Sequence, residues 1–89
     1  MAVALLLEFP GATQEQFGQV AEKVGSKSPP GLLYHVEGAI EGGWRVVDVW
    51  ESQEALDTFF QEKLGQALQE AGLTIPQPQA WPTRRIIKP

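Results

Sequence analysis

Residues 42–52 read GGWRVVDVWES, and the folding of this stretch constrains everything around it. Valine and tryptophan dominate it and a Gly-Gly pair opens it, features that together mark a β-strand leaving a tight turn. Asp48 interrupts the run. It stands between Val47 and Val49, and the two-residue period of a strand sets it on the same side as Trp44 and Trp50. A carboxylate on a buried strand is costly unless it is paired or hydrogen-bonded. The stretch therefore predicts a partly enclosed polar recess beside two indoles, in which the aspartate has a partner.

Upstream, LLYHVEGAI (32–40) is also extended, and EGG turns the chain, so 32–40 and WRVVDVWE (44–51) form a hairpin. Taking Gly42-Gly43 as a two-residue turn pairs His35 with Trp50 and sets Glu37 opposite Asp48, a like-charge contact that disfavours this alignment. A longer turn moves His35 to the other parity. The hairpin residues alone leave its register open.

Beyond the hairpin, Ser52 is placed to cap a helix over 53–71 whose apolar stripe is Leu56, Phe59, Phe60, Leu64, Ala67, Leu68 and Ala71. Gly72 ends it. Gly65 falls inside this helix, where glycine costs roughly 1 kcal/mol against alanine, and so predicts a kink or a close backbone approach. Toward the N-terminus, AVALLLEF (2–9) is a continuous apolar run closed by Pro10-Gly11, as in a strand covered on both faces. Thr13 and Gln16 have capping-box spacing, and Phe17, Val20, Ala21 and Val24 recur at helical intervals up to Gly25, giving a helix over 13–24. SKSPPG (26–31) is a loop and TIPQPQ (74–79) a linker. AWPTRRIIK (80–88) reads as a last strand, with Pro82 forcing it to an edge or a bulge.

The chain has 89 residues, 43% hydrophobic and 20% charged, which fits one globular domain spanning 1–89. Without cysteine it has no disulfide framework, iron–sulfur cluster or thiolate nucleophile, and it suits a reducing cytoplasm. The apolar N-terminal run follows no positively charged segment and stops at Glu8, Pro10 and Gly11, so neither an export signal nor a membrane span is expected. The net charge of −4 argues against nucleic acid, whose binding rests on Lys and Arg neutralising phosphates. Only Arg84, Arg85 and Lys88 form a basic cluster, at the end of the sequence.

The element order is β-α-β-β-α-β. This is the split βαβ or ferredoxin-like arrangement, an α+β fold in which right-handed crossovers lay both helices on one face of a four-stranded antiparallel sheet. Yet both parities of the strands are apolar: Val3, Leu5 and Leu7 against Ala4 and Leu6, and Trp44, Val46 and Trp50 against Val47 and Val49. Two helices cover one face only. The economical cover for the second is another copy of the chain, sheet against sheet, in a two-fold homodimer. An obligate interface, on the order of 2,000 Å² in total, would also relieve the small burial available to so short a chain.

YHVEGAIEGGWRVVDVWES (34–52), followed by an amphipathic helix carrying Phe59 and Phe60, resembles the dimeric α/β-barrel superfamily, and within it small proteins related to antibiotic biosynthesis monooxygenases. The likeness in element order covers nearly the whole chain; its specific part lies in residues 34–60. The superfamily includes cofactor-independent oxygenases, haem-degrading enzymes, dismutases of chlorite and proteins with no known reaction. It implies a ligand pocket between helices and sheet without naming the ligand. Haem-degrading relatives use an axial histidine on the second helix, and residues 53–71 contain none, so neither haem nor another cofactor is expected.

Within that frame the catalytic candidates are Asp48 and His35, the single histidine, which could exchange a proton near neutral pH. The plainer reading of Asp48 is a structural carboxylate bonded to a tryptophan N–H, to Tyr34 or to a cation. Tyr34, Trp50, Phe59, Phe60 and Trp81 are candidates for an aromatic box around a flat ligand, against the plainer alternative of core and dimer packing. One histidine and scattered carboxylates do not make a convergent metal shell. RNA-recognition domains share the element order and read bases with aromatics on the third strand, but Asp48 and the acidic charge do not suit that role. The enzyme reading is a cofactor-independent oxygenation of an aromatic small molecule. Its rival is a non-catalytic ligand-binding or stress-related dimer.

Overall fold

A computed structural model of the chain describes residues 1–25 and 27–87. The parts of the predicted loop and last strand that fall on Ser26 and Lys88, and the Lys88 member of the basic cluster, lie outside the described residues. The elements run β1 (Val3–Pro10), α1 (Gln14–Val24), β2 (Leu32–Ile40), β3 (Gly43–Trp50), α2 (Gln53–Phe59), a π-helical turn (Phe60–Leu64), α3 (Gly65–Glu70) and β4 (Gln79–Pro82). The strands form one antiparallel sheet in the order β2-β3-β1-β4, the ferredoxin-like arrangement that the element order predicts.

Local chemistry sets the boundaries. Thr13 caps α1 by accepting from the Gln16 N–H at 3.1 Å, while the Gln16 side chain accepts from the Thr13 N–H at 3.0 Å, a complete capping box. Ser52 caps α2 through the Ala55 N–H at 3.1 Å. Between α2 and α3 the ladder widens by one residue, and the Gly65 N–H reaches back to the Phe60 carbonyl. A Cβ on Gly65 would lie 3.1 Å from that carbonyl oxygen, the close backbone approach that an interior glycine predicts. The predicted 53–71 helix is thus three linked segments, α2, the π-turn and α3.

The hairpin turns at Glu41-Gly42, not at Gly42-Gly43. Gly42 takes φ +77°, and Gly43 belongs to β3, where a Cβ would lie 2.3 Å from the Phe9 carbonyl oxygen. The crowding of β1 against Gly43 thereby fixes the register, with His35 directly opposite Asp48 and Glu37 opposite Val46. A bulge at Leu33 shifts the pairing once more before Leu32 meets Trp50.

The last strand is shorter than the 80–88 predicted. It stops at Pro82, which has no N–H to donate, and Thr83 then ties the chain to the Ala2 carbonyl through its N–H (2.8 Å) and hydroxyl (3.1 Å). As predicted, Pro82 lies on an edge strand.

One apolar core fills the space between the helices and the sheet. Leu5, Leu7, Phe9, Trp44, Val46 and Trp50 from the sheet meet Phe17, Val20, Leu56, Ala67 and Leu68 from the helices. Phe17 bridges the two layers, edge-on to Phe9 (centroids 4.9 Å apart) and stacked on Trp44 (5.6 Å). Among the described residues no helix covers the opposite face of the sheet. That face carries Val36 at 65% exposure and Trp81 at 49%, with Leu6, Val47 and Val49 half-buried.

Candidate functional site

The site begins with the parity of two paired strands. On β3, residues 44, 46, 48 and 50 face the helices; on β2, His35 and Glu37 share that face because His35 pairs with Asp48. Trp50, with no exposed surface, packs its ring 5.1 Å from Phe59 and donates its Nε1–H to Asp48 Oδ2 at 3.1 Å. Asp48 is 5% exposed, and its other oxygen accepts from His35 Nδ1 at 2.6 Å. His35 Nε2 lies 3.0 Å from Glu37 Oε1, and Glu37 Oε2 accepts from Trp44 Nε1 at 2.8 Å. The result is a continuous chain, Trp50–Asp48–His35–Glu37–Trp44, with an indole N–H anchoring each end.

Two flanking carboxylates determine the state of the imidazole. Carboxylates only accept hydrogen bonds, so filling both requires a proton on each ring nitrogen. The His35 pKa is accordingly raised from 6.5 to about 9, chiefly by the hydrogen bond to Asp48. Burial opposes the shift, and the hydrogen bond to Glu37 and the charges of both carboxylates reinforce it. At neutral pH His35 is an imidazolium, and its first chemical capacity is to donate a proton or to hold an anionic oxygen. His35 and Asp48, whose meeting the sequence left open, are hydrogen-bonded, and the two carboxylates together set the His35 pKa above the near-neutral value expected of that pair alone.

His35, Glu37, Asp48 and Trp50 line a cavity of about 330 Å³ between sheet and helices. Phe9, Phe17, Val24, Trp50, Phe59 and Leu68 supply much of its apolar lining, and the α1–β2 loop adds Lys27 and Ser28. A mostly apolar hollow with a few convergent polar groups is the usual form of a small-molecule site. Among the described residues, no group of three or more His, Cys, Asp or Glu is arranged to hold a metal ion. The His35 nitrogens are each directed at a carboxylate, not at a common centre.

Of the residues singled out from the sequence, His35, Asp48, Trp50 and Phe59 come together at the cavity. Tyr34, Phe60 and Trp81 do not line it. Tyr34 pairs with Val49 and Trp81 with Ala4, so both belong to the parity facing away from the helices. Phe60 opens the π-turn and packs against the core. Glu37 and Lys27 escaped the sequence reading. Glu37 was legible in one respect: it is two residues from His35, hence on the same face of the strand.

Solved structures with this architecture exist. A candidate antibiotic biosynthesis monooxygenase from Chloroflexus aurantiacus J-10-fl superposes with a TM-score of 0.73 at 12% identity, covering 99% of this chain and 98% of its own. SnoaB, a cofactor-independent oxygenase from Streptomyces nogalater, gives 0.68 at 16%, covering 97% and 96%. The chain has the antibiotic biosynthesis monooxygenase fold. A candidate monooxygenase of the same class from Deinococcus radiodurans superposes with a TM-score of 0.65 at 15% identity, over 99% and 97% of the two chains. No protein-family model matches the sequence, and no curated protein matches it significantly. The likeness to the antibiotic biosynthesis monooxygenase fold is one of architecture over nearly full length, as the resemblance of residues 34–60 implies.

Proposed function

We propose that the chain is a homodimeric, cofactor-independent monooxygenase-like enzyme acting on an aromatic small molecule, a single domain over 1–89 working in the cytoplasm. The observation that carries this reading is the His35–Asp48 pair set into the wall of an aromatic-lined cavity. Further support comes from the fold shared with SnoaB, a cofactor-independent oxygenase.

The chemistry asked of the site is proton management around an electron-rich ring. A phenol oxygenated by O₂ para to its hydroxyl yields a quinone and water. One oxygen atom enters the ring, the other leaves as water, and the two hydrogens lost from O–H and C–H leave in that water. His35, as imidazolium, stabilises the oxyanion that develops on the ring, while Glu37, the more exposed carboxylate, takes the hydroxyl proton. Asp48 and Trp50 hold the imidazolium in place, and Phe59, packed against Trp50, offers the ring an apolar wall.

The dimer reading rests on the apolar sheet face that bears Val36, Val47, Val49 and Trp81, which no element of the chain covers among the described residues. Among those residues no helix is long and apolar enough to cross a membrane. A second copy is the economical cover.

A non-catalytic ligand-binding dimer is the second reading. One observation favours it: both Asp48 oxygens and both His35 nitrogens already have partners, as in a structural network. Oxygen-electrode traces with a panel of hydroquinones, naphthols and anthrones separate the two. The enzyme reading expects uptake that Asp48→Asn abolishes in a folded protein; flat traces across the panel, with binding retained, leave the ligand-binding dimer.

A further inference from the structure

The polar lining of the cavity has two electrostatically different parts. Along β2 lies the carboxylate–imidazolium–carboxylate group, whose net charge is −1 with His35 protonated. The α1–β2 loop, which leads into the Leu32 end of β2, contributes Lys27 and Ser28, and Leu32 is another lining residue. A strand advances about 3.3 Å per residue, so His35 stands roughly 10 Å along β2 from that end, and Glu37 farther still. The ammonium of Lys27 has no carboxylate within ion-pair distance among the described residues. Lys23 and Arg45 are paired, with Glu70 and Glu8; Lys63, Arg84 and Arg85, like Lys27, have no ion pair among the described residues, but of these four only Lys27 lines this cavity. Lys27 and Ser28 are exposed to solvent as well as lining the cavity, so the ammonium can meet an anionic group of an occupant there, with an attraction that water and salt weaken.

We propose that the ligand of this cavity is an aromatic hydroxy acid, its hydroxyl against His35 and Glu37 and its carboxylate against Lys27. This rests on the reading of the cavity as an aromatic-ligand site, and it adds the ligand's charge and direction. Orientation follows from repulsion as well as attraction. A ligand carboxylate turned toward Asp48 and Glu37 meets like charge, whereas at the loop end it meets the ammonium and the Ser28 hydroxyl. Lys27 is then a specificity determinant that takes no part in proton transfer.

The test compares 6-hydroxy-2-naphthoic acid, 2-naphthol and 2-naphthoic acid by calorimetric titration near neutral pH, with the native chain and with Lys27→Gln. The proposal expects the hydroxy acid to bind about fivefold more tightly than 2-naphthol. It expects that ratio to fall close to one in Lys27→Gln and to shrink as salt is raised. Equal affinities in the native chain, or a preference that survives in Lys27→Gln, overturn the role of Lys27 while leaving the aromatic site standing. Failure of all three compounds to bind overturns the aromatic-site reading and this proposal with it.

Discussion

His35 Nδ1 and Asp48 Oδ1 face each other at 2.6 Å across directly paired positions of β2 and β3. The contact joins the hairpin register to the chemistry of the cavity: a slip of one residue would send one of the two side chains to the opposite face. Asp48 is also the main reason the imidazole holds its proton.

Replacing that carboxylate separates charge from shape. Asp48→Asn keeps an acceptor for Trp50 Nε1 but removes the largest cause of the raised His35 pKa. The expected outcome is a folded protein that has lost about 1 to 3 kcal/mol in urea unfolding and whose histidine titrates well below the native one. An unchanged titration would show that Asp48 does not govern the ring.

Glu37→Gln is predicted to act in the same direction and less. Its side chain is more exposed than that of Asp48, its hydrogen bond ranks below that of Asp48 among the causes of the shift, and glutamine still accepts from Trp44 Nε1. The histidine pKa should fall by a smaller step, with little change in the unfolding midpoint. A fall as large as that of Asp48→Asn contradicts the ordering.

The same proton ties stability to pH. The folded-state pKa of His35, about 9, lies above the ordinary 6.5 of an unfolded chain, so the folded form binds the proton more tightly. The contribution is fully present below 6.5, declines as pH rises through the window to about 9, and is absent above it. Urea midpoints measured across that window should fall with rising pH, and His35→Gln should flatten this part of the profile. A native midpoint that rises across the window counts against the assignment.

Gly43→Ala tests the register by way of β1. The added Cβ would lie 2.3 Å from the Phe9 carbonyl oxygen, and the nearest atoms all belong to the β1 backbone, which has no flexible side chain to yield. A loss of about 2 kcal/mol or more is expected in equilibrium unfolding. Alanine tolerated at this position would mean that β1 and β3 do not approach as described.

The sequence made the strands and helices legible because their signals are local. Alternation on β3, the Thr13–Gln16 capping box and the Ser52 cap each lie within a few residues of what they determine. The hairpin register was not local: two adjacent glycines allow two turns, and the choice falls to Phe9, more than thirty residues upstream. For the same reason Glu37 could not be assigned to the site until His35 was known to face Asp48. Aromatic identity alone misplaced Tyr34 and Trp81, since a ring suits either side of a sheet apolar on both, and Phe60, which opens the π-turn and packs against the core. The π-turn had only Gly65 as its sign; the 3.6-residue stripe through Phe59 and Phe60 continues across it without a break.

The central claim is an imidazolium held between two carboxylates in the cavity wall, and the chain's single histidine makes it open to direct observation. Nitrogen-detected or ring-proton NMR, followed as a function of pH, reports both the protonation of each ring nitrogen and its midpoint. The account predicts a ring protonated on both nitrogens at neutral pH that titrates at about 9. A ring that titrates near 6.5, or that carries a single proton at neutral pH, contradicts it.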